Sequence, residues 1–229
     1  MRNLLVNGVL QLYGDVGMPW DSAFSDADVA VSLAEHGEGD LTVRINSGGG
    51  IATQGMAIYS LLKTHPGEIT MIVDGVAASA ASLIAMAGDK RQIMDGAMLM
   101  IHDPATITIG NAAEHEKSTA FLHKLADNYA GIYARAAGIK PAAAREIMQA
   151  ETWYTAQEAK AAGFVSEVMA DKAQAKAAFD YAIYMHAPAD LPRRPLRQPP
   201  PAIPPTAQIA RPLLDAALAA AARMRMRSK

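Results

Sequence analysis

The 229-residue chain is 51% hydrophobic and 19% charged, with a formal net charge of −2. That is the balance of a globular protein with room for one sizeable core, and it implies no global pull toward nucleic acid. The absence of cysteine excludes disulfides, thiolate metal sites and a cysteine nucleophile, and it is compatible with a cytosolic setting.

The opening MRNLLVNGVLQLYG lacks a long apolar core and a cleavage site, so no signal peptide is read there. Leu4 to Tyr13 alternates apolar and polar residues around Gly8, which predicts a β-ribbon or two short strands. Asp15 to Phe24 reads as a loop holding Pro19 and Trp20. Ser25 is a good N-cap, and Asp26 and Asp28 in the first turn suit a short amphipathic helix that ends at Gly37. LTVRIN, Leu41 to Asn46, reads as a strand. Ser47-Gly48-Gly49-Gly50 follows it, and a helix is expected from about Ile51 to Thr64 until Pro66-Gly67 breaks it.

Next, GEITMIVDG reads as a buried strand and SAASLIAMAG as a buried helix closed by Gly88. The strand turns sharply into the helix, and the first hydroxyl at that turn is Ser79. Two readings compete there. One makes Ser79 the N-cap of a tight joint. The other makes it a nucleophile, held by a rigid element beside the unpaired N–H groups of a helix start, where an oxyanion could be held. The apolar run around Ala77 to Ala87 is too short and small-sided to span a membrane. Strand, helix, strand, helix of these lengths argues for an α/β core with parallel pairing.

Arg91 to Ile101 is expected to hold two short strands around Asp95-Gly96. Asn111 then caps a long helix to about Ala137. Phe121, Leu125, Tyr129, Ile132 and Tyr133 form its apolar stripe, and Gly138 stops it. Pro141 starts a helix to about Ala150. Glu151 to Thr155 is extended, Ala156 to Ala162 helical, and Phe164 to Val168 a last short strand. Residues 171–187 read as a peripheral helical segment. From Pro188 to Pro212 the chain carries nine of its 13 prolines, which predicts an extended linker. Residues 213–229 are Ala-rich, with Arg223, Arg225, Arg227 and Lys229. They read either as a basic helix formed on contact with a partner or as a solvated tail.

A hydroxyl nucleophile needs a base. Of the six histidines, His36, His65, His115, His123 and His186 are explained by surface positions. His102 differs: it follows an apolar strand and precedes Pro104, at a strand end where α/β sheets place their sites. The SGGG stretch matches a phosphate loop poorly, since no Lys-Ser/Thr follows and there is no G-x-G-x-x-G. It fits better as backbone passing close to a bound peptide, or as a source of N–H groups for an oxyanion.

These residues carry a family resemblance. INSGGGI followed by GMAIY, DGVAASA, MLMIHDP, ETWYTAQEA and GFV come in the order and spacing of the Clp protease proteolytic subunit, from about Leu10 to Val168. The chain most resembles the ClpP-related head maturation proteases of tailed phages and prophages. The resemblance implies a ClpP/crotonase-like fold of repeated β-β-α units, a protease domain over 1–170, a long helix for oligomer contacts and a disordered Pro-rich tail.

By position in the family's motifs, Ser79 matches the nucleophile, His102 the general base and Glu151 the acidic third member. Glu151 stands where the family carries aspartate, and Asp103 is its local rival. The oxyanion donors match the backbone N–H groups of Gly50 and Ala80, and Gly48 stands where the family often has proline. An arginine often found before the acidic member is Ala150 here. Ser82, one turn after Ser79, reads as a packing residue, and Asp74 as a turn former.

The resemblance implies a serine endopeptidase with no metal and no cofactor. Its partners are protein or peptide substrates, capsid or scaffold proteins among them, and further copies of itself in a ring, heptameric or stacked. An ATP-driven unfoldase is a further partner that the resemblance admits; nucleic acid and membrane are not expected. The implied setting is the bacterial host cytoplasm or a phage prohead. The competing readings are a housekeeping degradative subunit, a catalytically silent ring scaffold and, last, an acyl-CoA enzyme of the crotonase fold.

Overall fold

The computed structural model describes residues 1–19, 22–172, 179 and 181–191. Strands β1 (Leu5–Val6) and β2 (Val9–Tyr13) pair antiparallel across Asn7-Gly8. Both turn residues have positive φ, 52° and 78°, which is what a two-residue hairpin turn requires and what the Asn-Gly pair supplies. Strands β3 (Asp15–Val16) and β4 (Ala23–Phe24) form a small parallel pair inside the stretch expected to be a plain loop. Helix α1 (Asp26–His36) starts at a reciprocal cap between Ser25 and Asp28 and stops at Gly37.

The main sheet runs through β5 (Leu41–Ser47), β6 (Ile69–Ala78), β7 (Lys90–Asp95) and β10 (Glu167–Lys172), all parallel, with β2 beside β5. Leu41, Val43 and Ile45 alternate inward along β5, the pattern of a strand with one covered face. Almost every residue of β6 is buried, as expected of a central parallel strand covered on both faces. Helix α2 (Ala52–Lys63) connects β5 to β6 and places Ile58 and Leu62 in the core.

The site is positioned by a change of partner along β6. Thr70 to Val73 pair with β7, whereas Val76 to Ala78 pair with β8 (Met98–Ile101). The register against β5 slips between Ile45 and Ser47 at the same level. The end of β6 is thereby carried into a second short layer, where β8 also pairs antiparallel with β9 (Thr152–Thr155). Helix α3 (Ala80–Ala85) follows β6 directly and ends earlier than Gly88.

Helix α4 (Ala112–Ala137) is capped by Asn111, and Gly138 closes it in the left-handed conformation. Its apolar stripe is buried only from Leu125 onward: Phe121 is 51% exposed, because the first half of the helix has nothing packed over it among the described residues. Helices α5 (Pro141–Gln149) and α6 (Ala156–Ala161) follow. The last strand starts at Glu167 rather than Phe164, since Phe164 is fully buried in the preceding turn against Tyr133 and Tyr154.

Residues 171–187 are not a peripheral helical segment where they are described. Strand β10 runs to Lys172, a short 3-10 turn spans Tyr181–Ile183, and Phe179, Tyr181 and Tyr184 are buried. Three large aromatic side chains within six residues favour cover over solvent, and the apolar end of β6 provides it. Leu191, at the start of the expected linker, is buried in the same cluster. The rest of that linker, 192–212, and the basic tail, 213–229, lie outside the described residues, as does Trp20. Among the described residues no helix is long and apolar enough to cross a membrane.

Candidate active site

Ser79 joins β6 to α3 with φ 56° and ψ −124°, a conformation rarely adopted by a residue with a side chain. Such a backbone costs about 1–3 kcal/mol and persists only when its surroundings fix it. Three hydrogen bonds do so. The Ser79 N–H donates to the Met100 carbonyl at 3.0 Å, and the Ser79 carbonyl accepts from Leu83 N–H at 3.2 Å and from Ser82 Oγ at 2.8 Å. Ser79 occupies the N-cap position, yet its side chain makes no capping bond. Its Oγ instead lies 2.7 Å from His102 Nε2.

His102 is placed by β8, which is held between β6 and β9. Burial of the ring holds its pKa below the ordinary histidine value, and the charges of Glu151 and Asp103 oppose that shift. A neutral ring has a free lone pair on one nitrogen. With Nε2 facing the serine hydroxyl, the ring proton belongs on Nδ1.

Glu151 is buried and has φ 47°. Its charge reaches His102, but its hydrogen bonds go elsewhere. Oε2 accepts from the Met185 N–H at 2.9 Å and Oε1 from the His186 N–H at 2.6 Å. No hydrogen bond joins Glu151 to His102 among the described residues. Asp103 is held away by an ion pair with Arg145.

The glycine loop lies against Ser79. A Cβ on Gly49 would stand 2.8 Å from the Ser79 Cβ and 2.7 Å from the Ala78 carbonyl oxygen, so only a glycine lets the loop come this close. A Cβ on Gly50 would meet the Val16 carbonyl oxygen at 2.2 Å. Val16 secures the loop from the other side, donating to Gly49 and accepting from Ile51. The Gly49 N–H is occupied by Ser47 Oγ at 3.1 Å. Ala80 is the first residue of α3, so its N–H has no intrahelical carbonyl to bond.

Ser82 is fully buried, with its hydroxyl shared between Ser79 and Tyr133, the packing role expected of it. His36 and His65 both reach the Gly39 carbonyl, and His115 bonds Thr108. Asp74 does more than form a turn. It receives Tyr13 from β2 and both Arg44 donors from β5, clamping three neighbouring strands. The residue that sequence reasoning missed is Tyr184. Its ring meets the edge of His102 at 5.1 Å, and its hydroxyl donates to the Gly48 carbonyl at 2.7 Å. The aromatic run Phe179, Tyr181 and Tyr184 signals burial, but nothing local tells which distant groups it covers.

The chain is similar to known proteins over most of its length. The family model for Clp protease matches residues 7–172. The ATP-dependent Clp protease proteolytic subunit 1 of Leifsonia xyli is 31% identical over 144 residues, covering 62% of this chain and 73% of the relative. That of Corynebacterium jeikeium is 32% identical over 145 residues, covering 62% and 77%. The proteolytic subunit of Bacteroides fragilis is 32% identical over 135 residues, covering 58% and 65%. The solved structure of a ClpP mutant from Listeria monocytogenes superposes with a TM-score of 0.64 at 23% identity, covering 72% of this chain and 92% of the other, and so shares the fold. The chain therefore belongs to the Clp protease family and is a serine-type peptidase of that family.

Proposed function

We propose that Ser79 is the nucleophile and His102 the general base of an endopeptidase that matures the capsid or scaffold proteins of a phage. The observation that carries the chemistry is the 2.7 Å contact between Ser79 Oγ and Nε2 of the half-buried His102, whose pKa is held below the ordinary value. In this reading Ser79 Oγ attacks the peptide carbonyl while Nε2 takes its proton. The negative oxygen of the tetrahedral intermediate falls to the N–H groups of Gly50 and Ala80. The imidazolium then gives its proton to the leaving amine, and water, activated by the same nitrogen, releases the acyl group and restores Ser79. Glu151 stabilises the imidazolium by charge.

The maturation reading is supported by the Pro-rich run and the basic residues of 213–229, which suit a tether to an assembling shell. A ring of copies of this chain, in the host cytoplasm or prohead, completes it. The second reading is a degradative subunit served by an ATP-driven unfoldase, and the relatives' names, ATP-dependent Clp protease subunits, favour it.

Labelling with a fluorophosphonate serine probe tests the chemistry. Label on the wild-type chain and on Ser82→Ala, with none on Ser79→Ala, is the expected result. Equal labelling of Ser79→Ala overturns the assignment. Cleavage of purified capsid precursor without ATP separates maturation from unfoldase-dependent degradation.

A further inference from the structure

One short piece of the chain touches His102, Glu151 and the glycine loop. The Tyr184 hydroxyl bonds the Gly48 carbonyl. It would be 3.2 Å from a Cβ on Gly49. It therefore stands between the glycine loop and the nucleophile, where a scissile carbonyl has to enter. The Tyr184 ring sits edge-on against His102. One residue further, the Met185 and His186 amides hold both carboxylate oxygens of Glu151. Phe179 lies on Gly48, where even a methyl group would come 2.1 Å from its ring.

We propose that Phe179 and residues 181–191 form an autoinhibitory strap, a stand-in for substrate that keeps the peptidase latent until it is displaced. The proposal rests on the serine peptidase reading above. Three features argue that the strap is displaceable rather than part of the permanent core. First, its apolar contacts form a separate cluster with Val76, Ala78 and Met100 instead of joining the main core. Second, it covers Trp153, whose ring meets Tyr181 and Tyr184 at 6.0 Å, and leaves the buried indole N–H without a partner. An unpaired buried donor penalises the closed state and regains water when the strap lifts. Third, the strap takes the hydrogen bonds of Glu151, which in the open state become free to orient His102. Lifting the strap thus clears the carbonyl position and releases the acid together.

The test uses the full chain with two kinds of variant. Tyr184→Ala removes the plug. His186→Pro removes one amide donor to Glu151 without deleting a buried aromatic side chain, since the His186 side chain is exposed. The expected result is that both label with the fluorophosphonate probe on the order of tenfold faster than wild type or more, as a half-covered site opens. Labelling of folded His186→Pro at the wild-type rate or slower overturns the strap.

A second readout needs no working nucleophile. In a Trp20→Phe background, acrylamide quenching of Trp153 should be weak and should rise in Tyr184→Ala. Free quenching of Trp153 in the otherwise wild-type chain overturns the strap. Weak quenching that rises in Tyr184→Ala, with no serine labelled in any variant, keeps the strap and overturns the peptidase reading instead.

Discussion

The two apolar clusters of this chain do different work. The larger joins β5, β6, α2, α3 and the buried half of α4, and most of its members are aliphatic. Its strands are linked by short crossover connections, so each contact closes a modest loop. The smaller joins Val76, Ala78 and Met100 to Phe179, Tyr181, Tyr184 and Leu191. There the hydrogen bond from Tyr184 to Gly48 spans 136 residues of sequence. The larger cluster fixes where Ser79 and His102 stand. The smaller decides what can reach them. A family scaffold can therefore be fully folded and still present a half-covered site.

The comparison breaks most directly through stability. Ile58 is fully buried in the main cluster, so Ile58→Ala should lower the unfolding free energy by about 2–5 kcal/mol. Leu191→Ala removes a side chain of similar size from the smaller cluster. It should leave the main thermal transition nearly unmoved and raise the labelling rate, because the strap opens without unfolding the sheet. Equal losses in the melting temperature would merge the two clusters into one cooperative unit.

Hydrogen exchange sharpens the same contrast without mutation. The Val73 amide sits in the β5–β6–β7 ladder, whereas the Met185 and His186 amides are held only by the Glu151 carboxylate. The strap amides should be protected less than Val73 by a factor on the order of 100. Protection equal to Val73 would tie the strap to global unfolding.

The division also explains what the sequence made legible. Local signals are legible: Ser25 and Asn111 as caps, Gly37 and Gly138 as stops, Gly8 within a ribbon, and Leu41 to Asn46 as a strand. Each is a property of a few adjacent residues. Ser79 and His102 were found by chemistry placed at strand ends, and the structure sets them in contact. Phe121 was misassigned because periodicity defines a helix face and not how far its neighbours extend. The partner change along β6, the Asp74 clamp and the burial of Tyr184 depend on segments brought together by the fold. Glu151 was marked by its motif, but its bonds to the Met185 and His186 amides depend on where a distant segment lies.

The smallest effect is a shift in pH dependence. His102 must be neutral to accept the Ser79 proton, so labelling falls as pH drops through its pKa. Burial holds that pKa below the ordinary value near 6.5, so the acid limb of wild type should lie on the acidic side of that value. Part of the burial comes from Tyr184 against the ring edge. When His186→Pro loosens the strap, water returns to the imidazole, the charged form becomes less costly and the pKa rises. The acid limb should then move to higher pH while the plateau rate increases. Asp103→Asn shifts the limb the other way, since it removes a negative charge that favours the imidazolium. A higher plateau with an unmoved limb in His186→Pro would mean that the strap obstructs Ser79 without desolvating its base, leaving steric occlusion as the whole of the latency.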